Sequence, residues 1–158
     1  MPKSGHPRLS HTLLPGIIAL ILALLTHSAL AQTPFDMPAG DKTIIGKGVE
    51  YLEDAEGTLT LEDVRSGQQT WQTSNDEIFN QGYTGSTWWL RFDLQNNQPG
   101  NRWLLEIAYP LLDEIDLYLI SSNGEMTTYA LGDRFPFAQR PIQHRHFIVP
   151  VPLGFSQQ

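Results

Sequence analysis

Trp89 and Arg91 stand two positions apart in the run Trp88-Trp89-Leu90-Arg91-Phe92-Asp93-Leu94. A flat indole can stack on the apolar face of a sugar ring while a nearby guanidinium donates directional hydrogen bonds to hydroxyls, so the pair suits carbohydrate recognition. In an extended chain successive side chains point to opposite faces. The spacing therefore places Trp88, Leu90, Phe92 and Leu94 on one face, read as core, and Trp89, Arg91 and Asp93 on the other. If that second face is itself covered, Trp89 is ordinary packing, the commoner fate of large aromatic side chains.

Asp113, Asp116, Asp133, Arg134, Arg140 and Arg145 form a second set, opposite charges close to the ends of apolar runs. Arg145 shares the parity of Phe147 and Val149, which points its guanidinium inward. A buried guanidinium needs a partner, and Asp113 or Asp133 would supply a two-pronged carboxylate. A structural clamp is the reading adopted for Arg140 and Arg145, and an anion or sugar-acid pocket the sharper one. His144 and His146 would share a face of a strand, an acceptable spacing for two metal ligands. The other histidines, His6, His11 and His27, lie in the N-terminal region, so a metal site would need a carboxylate from elsewhere. The pair is read as surface histidines beside an edge strand, and no metal or cofactor is assigned. The candidate ligand-binding residues are thus Trp89, Arg91, Asp113, Arg134, Arg140 and His144.

Catalysis finds no support. There is no cysteine nucleophile and no phosphate-cradling glycine loop. Gly85-Ser86 lacks the glycine pattern of a nucleophile elbow, and no two carboxylates sit in a recognisable glycosidase context. The chain is expected not to be an enzyme.

The elements that must carry these residues follow an export signal. Lys3 and Arg8 precede an apolar run from Leu13 to Leu25, and Ala29-Leu30-Ala31 is the small-x-small pattern of a signal peptidase site. Cleavage after Ala31 is expected, with an uncleaved signal anchor as the alternative. Either way the remainder lies outside the cytoplasm. Losing residues 1–31 removes two basic and no acidic residues, taking the formal charge from −7 to −9. So acidic a domain repels phosphate backbones, which argues against nucleic acid, and it lacks the basic cluster of a lipid-surface binder. Without cysteine there are no disulfide staples, so a buried core must hold the fold.

Residues 32–44, with Pro34, Pro38 and Gly40, read as a flexible leader, and 45–158 as the folded domain. A first strand is expected near Lys42 to Asp54, with Val49 and Tyr51 inward, followed by a turn at Asp54-Ala55-Glu56-Gly57. Thr60 to Asp63 and Ser74 to Glu77 each resemble the capped start of one helical turn. Alternation resumes over Trp88 to Leu94, after which Gln95 to Asn101 forms a loop. Trp103 to Tyr109 and Ile115 to Leu119 are the next strands, and Asn123-Gly124 marks a tight hairpin into Glu125 to Leu131. A last strand runs from His144 to Leu153, where Phe147, Val149 and Val151 face inward and Pro150 and Pro152 suit an edge. The sum is an all-β fold, a jelly-roll β-sandwich, with a barrel as the other closure.

Several words in order carry a resemblance: Gly82-Tyr83-Thr84-Gly85-Ser86-Thr87-Trp88-Trp89-Leu90-Arg91-Phe92, then Trp103 to Ile107 with Tyr109-Pro110-Leu111-Leu112-Asp113, then Gly132 to Phe137 with Arg140-Pro141. Over about 45 to 153 the chain resembles the type 2 extracellular domain of seven-transmembrane receptors with diverse intracellular signalling modules. The resemblance implies a periplasmic sensor domain with a jelly roll like those of carbohydrate-binding modules. It further implies a small-molecule ligand, a carbohydrate foremost, captured for signal transduction; a protein-interaction or homodimerisation module is the alternative. Such domains precede seven membrane helices and an output module, often a diguanylate cyclase or histidine kinase. The 158 residues contain neither, so a domain truncated before its last strand or strands is expected, tied to the membrane only through a missing region or an uncleaved signal.

Overall fold

Short alternating runs form strands here, and a computed structural model describes them over residues 34–36, 42–96 and 102–152. The expected export signal over 1–31, most of the leader, the second half of the 95–101 loop and the chain beyond Pro152 lie outside the described residues. The strands are β1 (Phe35–Asp36), β2 (Glu50–Asp54), β3 (Gln72–Thr73), β4 (Thr87–Arg91), β5 (Leu94–Gln95), β6 (Trp103–Ile107), β7 (Ile115–Ile120), β8 (Met126–Leu131) and β9 (Phe147–Val151). One short helix, α1 (Leu61–Arg65), and a 3-10 turn at Phe137–Gln139 are the helical elements among the described residues. The domain is therefore all-β. No helix among the described residues is long and apolar enough to cross a membrane.

Among the described residues the strands pair in four separate ladders, β3-β2-β4, β6-β9, β7-β8 and β1-β5. The first three are antiparallel and β1-β5 is parallel. The two continuous hydrogen-bonded layers of a jelly roll are not joined up at this level. Phe35–Asp36, within the expected flexible leader, is instead a strand: the Phe35 N–H donates to the Asp93 carbonyl at 2.8 Å, and its ring meets Phe92 edge-on.

The core lies where β6 and β9 meet the β7-β8 hairpin. Leu131, Phe147 and Val149 are buried, the last two fully, with Leu105, Ile107, Leu112, Ile115, Leu117 and Tyr129 packed against them. β9 alternates as expected, burying Phe147, Val149 and Val151 and leaving Pro150 exposed. Burial of a side chain the size of Phe147 contributes about 1.5–3 kcal/mol.

β4 corrects the expected faces. Leu90, assigned to the core, is 42% exposed, whereas Trp89 is half-buried and stacks on Tyr118 of β7. The physical reason is that alternation tells which residues share a face but not which face is covered, and here both faces carry a tryptophan. Trp88 packs instead with Tyr51 and Phe79 on the opposite side.

Local chemistry sets the connections. The buried Asp54 carboxylate accepts the N–H groups of Thr58 (3.2 Å) and Leu59 (2.9 Å), closing the turn in which Gly57 takes φ +63°. Thr60 opens α1 with a reciprocal capping box to Asp63. At Ser74 to Glu77 the expected helical turn does not form. The Ser74 hydroxyl accepts the Asp76 N–H at 3.3 Å, the kind of local bond by which serine competes with a helix.

Candidate functional site

The six candidate residues fall into three separate clusters. The first lies on one face of β3-β2-β4. Pairing of β2 with β4 sets Glu50 opposite Arg91, Leu52 opposite Trp89 and Asp54 opposite Thr87, so these six side chains share a face. Arg91 Nε donates to Glu50 Oε2 at 2.7 Å while its guanidinium lies 4.1 Å from the centroid of the Trp71 ring. A guanidinium gripped by a carboxylate and an indole is fixed in position, and Arg is the residue whose planar cation suits both partners. Trp89 and Tyr118 stack at 6.4 Å with planes 14° apart.

Asp54 underlies this face. Burial pushes its carboxyl up, but the N–H groups of Leu59 and Thr58, the Trp89 indole and the Gly57 N–H together outweigh burial and leave its pKa below the usual carboxylate range. The Trp89 indole N–H acts there by proximity, since no acceptor among the described residues meets hydrogen-bonding geometry with it. Trp71 and Tyr118, which complete the face, were not among the residues marked from sequence. Trp71 belongs to the segment leading into β3, and Tyr118 lies on a strand whose packing against β4 leaves no trace in local spacing.

The second cluster joins Asp113 and Arg134. Asp133 N–H donates to the Leu112 carbonyl at 2.8 Å and Arg134 N–H to that of Asp113 at 3.3 Å, drawing the two loops together. Gly132, at φ +138°, permits this approach, because a Cβ there would run into the Asp113 carbonyl. Arg134 then bridges Asp113 at 3.3 Å and Glu114 at 3.7 Å, with all three side chains well exposed. Exposed pairs of this kind are screened and contribute little, about 0–1 kcal/mol.

The third cluster gathers Arg140, His144 and His146, and corrects the expected arginine clamp. Arg140 is half-buried, and its Nη1 donates to the carbonyls of His144 (2.7 Å) and Arg145 (2.8 Å) rather than to a carboxylate. Its guanidinium lies over the rings of Phe147 (4.4 Å) and Phe137 (5.0 Å). Arg145 is exposed, because the chain from 144 to 146 is turn rather than strand and parity with Phe147 does not extend back to it. Of the two partners expected of these arginines, Asp113 or Asp133, Asp113 is taken by Arg134.

Within the same turn the His146 N–H donates to His144 Nδ1 at 3.1 Å, and the two rings meet edge to face at 5.1 Å. His146 Nδ1 lies 2.6 Å from Glu106 Oε1, and Lys42 Nζ lies 3.5 Å from Glu106 Oε2. The His146 hydrogen bond foremost, with the Lys42 charge adding and burial opposing, holds the Glu106 carboxyl below its ordinary range. Glu106 was not marked from sequence either. Its outward parity on β6 was legible, but the pairing of Glu106 with Ile148 across β6-β9, which brings it to the histidines, was not.

Two shallow surface depressions, one at Leu61, Glu62, Arg65 and Ser66, the other around Lys42, Ile44, Lys47 and Glu77, contain none of the six candidates. The family model described as 7TMR-DISM extracellular 2 matches residues 46–158. No curated protein and no solved structure matches the chain.

Proposed function

The chain belongs to the 7TMR-DISM extracellular 2 family, and from that premise we propose that it captures a carbohydrate on the β3-β2-β4 face for a transmembrane receptor. Members of the family are extracytoplasmic, non-catalytic sensor domains, so the domain is a periplasmic sensor. The sugar reading is supported by one observation above others: Trp71 and Trp89 flank the Arg91–Glu50 pair on a single sheet face. Rings and a bonded polar pair side by side are what stacking and directional hydrogen bonding to a pyranose require. Capture signals only if the ligand binds one receptor conformation more tightly than another.

Calorimetry against a glycan panel tests this, with Trp89→Ala and Arg91→Ala as comparisons. Binding that weakens about tenfold or more in both variants is the expected outcome, an energy of about 1.4 kcal/mol. Absence of binding to every glycan, or equal binding by the variants, removes the sugar.

A second reading, a dimerisation module, draws on the outward face of β6-β9, where Leu104 is 55% exposed and sits opposite the exposed Pro150. Sedimentation of the wild type and Leu104→Glu separates the two: a dimer abolished by the substitution favours self-association, and a monomer in both excludes it.

A further inference from the structure

We propose that Glu106, His144 and His146 form a binding site for a divalent transition-metal ion of the Zn2+ type. One carboxylate and two imidazoles are a donor set that suits such an ion, and three protein ligands leave a further position for water or an anionic group. The ligand atoms of the three residues all lie within 4.8 Å of one another. Tetrahedral bonds of about 2.0–2.1 Å separate ligand atoms by about 3.3 Å. The 2.6 Å contact between His146 Nδ1 and Glu106 Oε1 therefore opens slightly on loading while the longer separations close, movements within the reach of side-chain torsions.

The site is built by elements that need no ion. Glu106 is carried outward by the β6-β9 ladder, in register with Ile148. The histidine turn is held by Arg140, which takes the carbonyls of His144 and Arg145 and rests on the buried Phe147. The ligands are thus tethered to the core at both ends, the kind of support that lowers the ordering cost of binding. Two local partners compete with the ion. The His146 N–H occupies the lone pair of His144 Nδ1, and the Lys42 ammonium faces Glu106 Oε2. Lys42 sits on an exposed side chain and is readily displaced.

This site is distinct from the Trp89–Arg91 face, and its test is independent of any sugar. The full chain, prepared without a polyhistidine tag, is titrated with Co2+ by visible absorption and with Zn2+ by calorimetry. The expected result is one ion per chain bound at micromolar or lower concentration, with the intense Co2+ bands of a four-coordinate site. Loss of an outer partner of a metal ligand typically weakens binding about 10- to 100-fold, so His144→Ala, His146→Ala and Glu106→Gln should each weaken it at least that much. Lys42→Met should tighten binding several-fold by removing a competing cation, an effect that a merely structural Glu106–His146 contact would not produce. Circular dichroism establishes that each variant folds, and His144→Ala, outside the core, together with Lys42→Met decides the matter if the others do not. Binding only in the millimolar range, or binding that survives His144→Ala together with His146→Ala, overturns the proposal. The second result would assign the ion to His6, His11, His27 or surface carboxylates instead.

Discussion

Phe147 joins the buried core to the histidine turn. It is 1% exposed, it centres the core cluster, and its ring carries the Arg140 guanidinium that organises the histidine turn. Truncating it removes the buried ring and leaves a cavity, so Phe147→Ala should destabilise the fold by about 3–5 kcal/mol. Chemical denaturation measures this directly; a loss below about 1 kcal/mol would mean the site collapses around the smaller residue. At this scale the inward parity of Phe147, Val149 and Val151 was legible in the sequence, because period-two alternation beside prolines has one reading. The partner of Arg140 was not. A guanidinium held through Nη1 by two backbone carbonyls and laid over ring faces has no charged partner to find, and of the aspartates expected beside it, Asp113 or Asp133, the first is already bridged by Arg134.

Elements whose stop and start signals are local were legible, and pairings between distant strands were not. Thr60 with Asp63 announced α1, and Asn123-Gly124 announced the β7-β8 hairpin, in which Gly124 takes φ +87° and donates to the Ser121 carbonyl. Removing the cap with Thr60→Ala should cost about 1 kcal/mol, seen as a lower urea midpoint with an unchanged slope. An unchanged midpoint would show that the five-residue α1 is held by burial of Val64 instead. Ser74 shows the limit of such signals, because the same residue type that caps a helix also closes a hydroxyl turn and stops one. The β6-β9 ladder joins residues some forty positions apart, with Ile107 opposite Phe147. No local pattern encodes that register, nor the approach of Glu106 to the histidines that follows from it.

For the whole molecule, acid should act through the carboxyls held low in the folded state, Asp54 and Asp63 alongside Glu106. Backbone and side-chain hydrogen bonds hold the Asp54 carboxyl below its ordinary value despite burial, and the Thr60 hydroxyl and N–H do the same for Asp63. In the unfolded chain both return to about 3.9, so as pH falls the unfolded state takes up protons first. Their stabilisation is therefore complete above that value and is lost as pH drops through the lower folded-state values. Melting temperature followed from pH 6 down to pH 3 should fall below about pH 4. Asp54→Asn with Asp63→Asn should flatten that limb, whereas an identical limb in the double variant would assign the acid sensitivity to other carboxylates.

The near-parallel Trp89 and Tyr118 rings have an optical consequence. Two chromophores fixed beside each other in a chiral frame couple their ultraviolet transitions, and the coupling decays steeply with separation. The distance between β4 and β7 thus becomes readable without any label: a guest wedged against the indole, or a receptor rearrangement that parts the strands, would erase a band in the dichroic spectrum that Tyr118→Leu should also erase.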